Sequence, residues 1–526
     1  MEKLNKTFKI NPLYEADSYK VGHPMMLAPN TTREYWTWIP RSLKYMHPSI
    51  TKIMSAGQQL VVRYIHSAFQ ELFFDQPVEV AHQFTKDLSL HLMQEYNFKG
   101  FEDLHKLGYL PVKIKALPEG IFTNPNIPHM TGINTVDGYA WLGLFLETLT
   151  SKLAWQLPTA ATIAHKFKEN AVEWVTKTDK DNLWLTDFMC HDFSSRGGNP
   201  FSSIAIGLAH AISHKGSDTL NVIPASRYYY DEAEDSMPIF SVVASEHSVS
   251  CTKIFTAGEQ QMLSDWMKTF PKGILSVVSD TFDLWKLITE YLPALKEEIL
   301  ARDGKLVVRP DSGDPVDIIC GTIKVDKNTL EIEKCLPKEK GVIELLWDIF
   351  GGTVNEQGYK VLDSHIGAIY GDSINLERQV EIYKRLEAKG FAATNIVLGV
   401  GSFTYTMLTR DSAGFAAKGA WFEVEEEHGP MGNGKVKLAY NIYKDPITDD
   451  GTKKSLKGLL KVCYDGSMET YKDLGCPPDG SPKPIIVKTE CTPVEENQGL
   501  LQLIYEDGKL YNQTTLAEVR KNLSLL

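Results

Sequence analysis

The sequence predicts an α/β protein: a parallel α/β-barrel, with a second mixed α+β domain built from both chain ends. Three observations predict it. A short apolar run, a polar or glycine-rich tip and a helical stretch recur through the middle of the chain. The intervals between tips have the length of a βα unit. At 526 residues the chain is also too long for one ordinary core and long enough for a barrel-sized domain plus another.

The cadence runs from about residue 185 to 410. Its clearest instances are Ile274-Leu275-Ser276-Val277-Val278 before Ser279-Asp280, Leu306-Val307-Val308 before Arg309-Pro310-Asp311-Ser312-Gly313, and Ile396-Val397-Leu398 before Gly399-Val400-Gly401-Ser402. Weaker instances end at His191-Asp192, Asp218, Glu246-His247 and Gly371-Asp372. From Asp192 through Asp218, Glu246, Asp280, Asp311 and Asp372 to Val400 the intervals are 26, 28, 34, 31, 61 and 28 residues, which is one βα unit each with one long insertion. Leu284, Leu287, Ile288 and Tyr291 recur at helical spacing, as do Leu376, Val380, Tyr383 and Leu386 before a stopping Gly390. Buried apolar strands alternating with helices imply a parallel sheet. It could close into a barrel or stay open and doubly wound; polar groups crowded at every strand's carboxyl end favour the barrel.

These features place the barrel at 151–414, with an insertion near 321–362 that holds a β-like stretch from Gly321 to Glu333 and a helix from Gly341 to Phe350. Residues 1–150 and 415–526 form the second domain.

Composition narrows the class. Hydrophobic residues make up 43% and charged residues 23%, the balance of a folded protein rather than a disordered one. A net charge of −12 argues against nucleic acid or an anionic membrane as partner, since both favour a basic footprint. The seven cysteines are scattered and form no CxxC pair, as expected of reduced thiols in a cytoplasmic protein. No apolar region follows the charged Met1–Lys6 segment, so a secretory signal is not expected. The longest apolar stretch, around Tyr139 to Leu146, is far too short to span a bilayer.

Barrel tips converge on one mouth. The collected tips are Phe193, Arg196, Asp218, His247, Asp280, Arg309, Asp311, Asp372, Gly401, Ser402 and Arg410. Each taken alone could be a helix N-cap or a salt-bridge partner, but so many units ending this way are harder to explain by capping. Carboxylates mixed with Arg196, Arg309 and Arg410 suit a polyphosphate held with a divalent cation. Gly399-Val400-Gly401-Ser402 offers bare backbone amides to a phosphate, although a glycine turn is the commoner reason for such a pattern.

Other chemistries lack their signatures. There is no GxxxxGK[ST] and no GxSxG. His210 and His214, four apart, could bind zinc, but a helix face accounts for them better. The adjacent Asp449-Asp450 lies in a polar loop, so the fingerprint of the Rossmann-like phosphoribosyl-binding enzymes is missing.

At these same residues the sequence resembles the nicotinamide phosphoribosyltransferases of the nicotinate/nicotinamide phosphoribosyltransferase family. Matching segments are Ala16-Asp17-Ser18-Tyr19-Lys20-Val21, His191-Asp192-Phe193 with Arg196-Gly197, Lys215-Gly216-Ser217-Asp218-Thr219, Glu246-His247-Ser248, Ser276-Val277-Val278-Ser279-Asp280, Arg309-Pro310-Asp311-Ser312-Gly313, Gly371-Asp372, Leu408-Thr409-Arg410-Asp411 and Lys444-Asp445-Pro446. They run in the family's order across nearly the whole chain. Ser402 and Phe403 stand where the family's phosphate loop has glycines.

The resemblance implies an irregular parallel α/β-barrel, type II phosphoribosyltransferase-like, in a homodimer with shared active sites, making nicotinamide mononucleotide for NAD salvage from nicotinamide and 5-phosphoribosyl-1-pyrophosphate. It implies that Phe193 and, from the other subunit, Tyr19 sandwich the nicotinamide ring. Asp218 would accept from the carboxamide and Arg309 would contact its amide side. Asp311, Gly371 and Asp372 would hold ribose hydroxyls. Arg196, Gly401, Ser402, Arg410, Lys418, Lys444 and, across the interface, Arg41 would bind phosphate. His247 would be the histidine that ATP phosphorylates, stimulating synthesis. Mg2+ would accompany the pyrophosphate, with Asp280 and Asp311 as candidate ligands. Two other readings stand beside this one: a nicotinate-preferring enzyme, which Asp218 discriminates against, and a metal-dependent barrel hydrolase using His191, His247 and the tip aspartates.

Overall fold

Strands of a parallel barrel are covered on both faces and must be apolar along most of their length. In the computed structural model, which describes residues 9–322, 336–427, 434–444, 447, 456–465 and 484–524, the repeated runs become seven parallel strands, buried throughout at Ile366–Tyr370 but exposed at Val243–Ala244. They are β1 (Cys190–Asp192), β2 (Gly216–Ser217), β3 (Val243–Ala244), β4 (Lys272–Val278), β5 (Asp303–Arg309), β6 (Ile366–Tyr370) and β7 (Ile396–Val400). All pair in parallel and in chain order, with β7 returning to β1. Phe240, just before β3, bridges to Gly216 of β2 and so joins the two edges of the sheet. Closure removes the unpaired edges that an open sheet would leave.

The chain divides into two compact units, 163–225 with 234–407, and 1–162 with 226–233 and 408–526. The barrel is the first of these. Residues 151–162, 226–233 and 408–414, which the sequence places inside the barrel, belong to the other unit, and for 226–233 side chains of that unit hold them. Arg63 donates to the Tyr228 carbonyl at 2.7 Å, Gln59 to the Tyr229 carbonyl at 2.6 Å, and the Tyr230 hydroxyl to Glu119 at 2.8 Å.

Barrel helices follow the predicted spacing with local departures. In the helix Leu376–Ala388, Leu376, Ile382, Tyr383 and Leu386 are buried, while Val380 faces outward and Gln379 takes the inner position. Gln379 is tolerated there because its amide is satisfied, accepting from Asn170 at 3.0 Å and donating to the Phe167 carbonyl at 2.9 Å. Gly390, at φ +76°, ends that segment in a conformation that costs glycine little. The helix expected from Leu284 is interrupted by a π-turn at Leu287–Tyr291. In the insertion, the expected helix forms at Val342–Phe350, followed by a hairpin of Gly352–Val354 and Lys360–Leu362. The expected β-like stretch from Gly321 lies outside the described residues beyond Thr322, as does the Asp449-Asp450 loop.

The other unit is built on a seven-stranded antiparallel sheet in the order Lys435–Asn441, Ala416–Glu427, Thr31–Ile39, Met130–Asn134, Val112–Ala116, Gln502–Glu506 and Lys509–Leu510. Among the described residues no helix is long and apolar enough to cross a membrane.

Candidate active site

A polar residue after a strand is often there to cap the next helix, and the structure separates that duty from the tip residues. Asp283 caps the helix Leu284–Lys286, Asp314 caps Pro315–Cys320, and Asn375 caps Leu376–Ala388. Each follows a candidate residue, Asp280, Asp311 or Asp372, by three positions. The candidates are therefore released from capping.

One cluster forms where β1 and β2 end. Asp218 follows β2, and its Oδ1 accepts from His191 Nε2 at 2.9 Å and from the Ser241 hydroxyl. Burial pushes the Asp218 carboxyl up, but these hydrogen bonds and the charges of His191 and Arg309 outweigh it and hold the group below its ordinary value. Asp218 does not pair with Lys215, which instead meets Asp187 at 2.8 Å. Arg309, at the end of β5, donates to the Ser245 carbonyl at 2.6 Å.

Phe193 is half-buried beside this pair, with its ring 4.9 Å from that of His191. It lies over bare backbone. A Cβ on Gly399 would fall 2.3 Å from the Phe193 ring, and one on Gly371 would fall 3.2 Å away. Gly399, read in the sequence as part of a phosphate loop, is thus required by the aromatic ring.

The second cluster gathers the ends of β3, β4 and β5. His247 Nε2 donates to Asp311 Oδ1 at 3.1 Å and stands 3.7 Å from Asp280 Oδ1, while its Nδ1 meets the Thr281 hydroxyl at 3.1 Å. Asp280 Oδ2 accepts from the backbone of Asp311 at 2.9 Å and of Ser312 at 2.8 Å. Its Oδ1 is buried with no hydrogen-bond partner among the described residues. An unsatisfied buried carboxylate oxygen costs about 1–3 kcal/mol, a cost that an arriving cation or donor removes. Ligand atoms of His247, Asp280 and Asp311 all lie within 4.8 Å of one another, an arrangement open to a hard cation. His191 is not in that group, which removes a ligand from the hydrolase reading.

Asp372 accepts from the Ser373 hydroxyl at 2.7 Å. Arg196 is exposed on the turn Ser195–Gly197. Gly401 precedes the short helix Ser402–Tyr405 with open space where a Cβ would stand. The Ser402 hydroxyl donates to the Ser194 carbonyl at 3.3 Å and presses on Gly197, where a Cβ would be 1.9 Å from it. Serine at the family's glycine position is thus accommodated by a glycine opposite.

Five of the expected residues belong to the antiparallel unit. Arg410, which the sequence reading placed with the barrel tips, is one of them. Its turn, Arg410–Ser412, leads into Ala413 and Gly414, whose carbonyls accept from the Arg41 backbone at 3.1 Å and the Arg41 side chain at 3.0 Å. Lys418 is half-buried, and burial depresses its ammonium; Glu147 opposes the shift, and the charges of Arg41, Lys444 and Arg410 add to it. Arg41, expected to act across a subunit interface from the other three, thus stands with Arg410, Lys418 and Lys444 in the same chain, a cationic cluster with Glu147 beside it. Tyr19 is 66% exposed, edge-on to His23.

His210 and His214 are buried structural residues. His210 meets the Tyr405 hydroxyl and the Gly216 carbonyl at 2.9 Å each, and His214 donates to the Ala164 carbonyl at 3.0 Å. The five cysteines among the described residues are unpaired; Cys335 and Cys476 lie outside them. Sequence reasoning missed Ser241, Ser245 and Thr281 as partners, since no motif marks a serine or threonine whose role is to bond another side chain.

Similarity searches point the same way. The family model described as "Nicotinate phosphoribosyltransferase (NAPRTase) family" matches residues 188–473. A nicotinamide phosphoribosyltransferase of Acinetobacter baylyi is 37% identical, covering 98% of each chain. One from Xanthomonas campestris pv. campestris is 29% identical, covering 97% of each. Among solved structures, the nicotinate-nucleotide pyrophosphorylase of Pyrococcus furiosus superposes with a TM-score of 0.53 at 14% identity, over 99% of this chain and 97% of that one. Human nicotinic acid phosphoribosyltransferase does so with a TM-score of 0.50 at 16% identity, over 98% and 92%. A family model spanning more than half the chain and a relative 37% identical over nearly its full length establish that the chain belongs to the nicotinate phosphoribosyltransferase family.

Proposed function

We infer that the protein transfers the 5-phosphoribosyl group of 5-phosphoribosyl-1-pyrophosphate to nicotinamide, giving nicotinamide mononucleotide and pyrophosphate in NAD salvage. The observation that carries the choice of base is Asp218, its carboxyl held below the ordinary value and bonded to His191, whose ring packs on Phe193. A carboxamide offers N–H donors to that carboxylate; nicotinate would oppose it with a second negative charge. The name of the Acinetobacter relative supports the same reading.

The pyridine nitrogen carries a free lone pair, so its attack on the ribose C1 needs no general base. As the new N–C bond forms, the C1–O bond breaks and pyrophosphate leaves with the electron pair. The protein's work is to orient the ring, stabilise an oxocarbenium-like carbon and receive the anion. Phe193 would stack on the ring, with Asp218 and Arg309 reading its amide. Asp311, Gly371 and Asp372 would take the ribose hydroxyls. Arg196, Gly401 and Ser402, and the cluster of Arg41, Arg410, Lys418 and Lys444, would bind phosphate.

Asp280 and Asp311 would hold Mg2+, which when bound neutralises departing phosphate charge; the unpartnered Oδ1 of Asp280 fits that use. His247, on the same mouth, would take the γ-phosphoryl group of ATP, releasing ADP. Exposed Tyr19 fits a homodimer in which one copy's Tyr19 covers the ring bound by the other. A cytoplasmic setting completes the proposal.

Incubating the purified protein with nicotinamide, 5-phosphoribosyl-1-pyrophosphate and Mg2+ should yield nicotinamide mononucleotide and pyrophosphate in equal amounts. Pyrophosphate without the mononucleotide would overturn the assignment.

A further inference from the structure

The reaction as written gives His191 no work, yet the fold goes to some length to place it. It lies on β1, in register with Gly216 of β2 and Gly399 of β7. A Cβ on Gly216 would come within 2.9 Å of its Nδ1, so only glycine there lets the ring lie against β2. Its other side packs on Phe193, ring centroids 4.9 Å apart at 46°. From this slot Nε2 donates to Asp218 Oδ1 at 2.9 Å. The second donor to Asp218, the exposed Ser241 hydroxyl, falls on the same oxygen. Both bonds fall on Oδ1, so Oδ2 is the oxygen without a hydrogen-bond partner among the described residues.

We propose that His191 is a positioning residue that, by fixing Asp218 Oδ1 while packing on Phe193, sets the direction in which Asp218 reads the base and so sets the preference for amide over acid. The proposal rests on the nicotinamide reading above. Without His191 the carboxylate is tethered only by a rotatable surface hydroxyl, and it can swing away from the base, weakening both its acceptance of an amide and its repulsion of an acid. The role belongs to the Nε2–H donor, which the terminal amide of glutamine can replace and a phenyl ring cannot.

The test compares kcat/KM for nicotinamide and nicotinate in the wild type, His191→Phe, His191→Gln, Asp218→Ala and the double variant His191→Phe/Asp218→Ala. Loss of one hydrogen bond to a charged group predicts that His191→Phe lowers the nicotinamide-to-nicotinate ratio about tenfold, mainly through KM. His191→Gln should restore most of it. In the Asp218→Ala background His191→Phe should move the ratio no further, because the residue acts through Asp218. If His191→Phe does not fold, His191→Ala is measured in its place, a ratio about tenfold below wild type supporting the proposal and an unchanged ratio overturning it. A His191→Phe enzyme with an unchanged ratio, or one whose ratio shifts equally without Asp218, overturns the proposal while leaving the nicotinamide reading intact. A wild-type enzyme that prefers nicotinate overturns both.

Discussion

His191 and His247 each donate to an aspartate at the mouth of the same barrel, but the first has a side chain 11% exposed and the second 44%. His191 is wedged between Gly216 and Phe193 and serves one carboxylate. His247 faces solvent, and beside it Asp280 keeps a buried oxygen with no hydrogen-bond partner among the described residues. The same residue types thus make a rigid reading head in one place and an open, charge-accepting site in the other. Surroundings decide which: a closed slot suits recognition, whereas exposure and an unsatisfied oxygen suit a ligand that comes and goes.

If the division is correct, changes on one side should leave the other side's readout untouched. The most complete effect should come from His247→Ala. It should abolish labelling of the protein by ATP carrying a radioactive γ-phosphate while leaving ATP-independent synthesis and its base preference; label that persists in the variant would assign the phosphoryl group elsewhere.

Asp218→Ser should give the next largest change. Two unit charges about 4 Å apart repel by roughly 4 kcal/mol at an effective dielectric near 20. Arg309 offsets part of this, so the nicotinamide-to-nicotinate ratio of kcat/KM should fall tens- to about a hundredfold. ATP labelling should stay as in the wild type. Equal loss of both activities would mean that Asp218 serves only the fold.

Gly399→Ala sharpens the same side. The added methyl would meet the Phe193 ring at 2.3 Å, and overpacking of this kind costs about 1–3 kcal/mol. A lower melting temperature and a raised KM for both bases are expected, with the ratio unchanged.

The smallest effect is an expected constancy. A carboxylate held below its ordinary 3.8 stays ionised above that value and loses its contribution only as pH falls through the depressed folded value. Base preference should therefore be level from about pH 8 to pH 5. A ratio that collapses across that window would place the controlling titration on another group.

Much of this comparison was legible in the sequence. Apolar runs ending in Asp280, Asp311 and Asp372 could be read as barrel tips because strand burial and tip chemistry are local. The capping residues three positions later could be read in the same way, although only the structure shows that they free the tips. Arg410 was assigned to the barrel because it follows Gly401 by nine residues, and separation along the chain does not reveal that the chain leaves the barrel after Met407. Gly399 was read as a phosphate contact because a glycine's reason lies in what would collide with it, here a ring more than two hundred residues away in sequence. Ser241 and His191 carry no local mark of their role, since both act through Asp218.

The central claim is that Asp218 makes the enzyme choose an amide. Wild-type protein should be offered equal nicotinamide and nicotinate with limiting 5-phosphoribosyl-1-pyrophosphate, and the two mononucleotides separated and counted. The account predicts an excess of nicotinamide mononucleotide of tens- to about a hundredfold; equal products, or an excess of the nicotinate nucleotide, would contradict it.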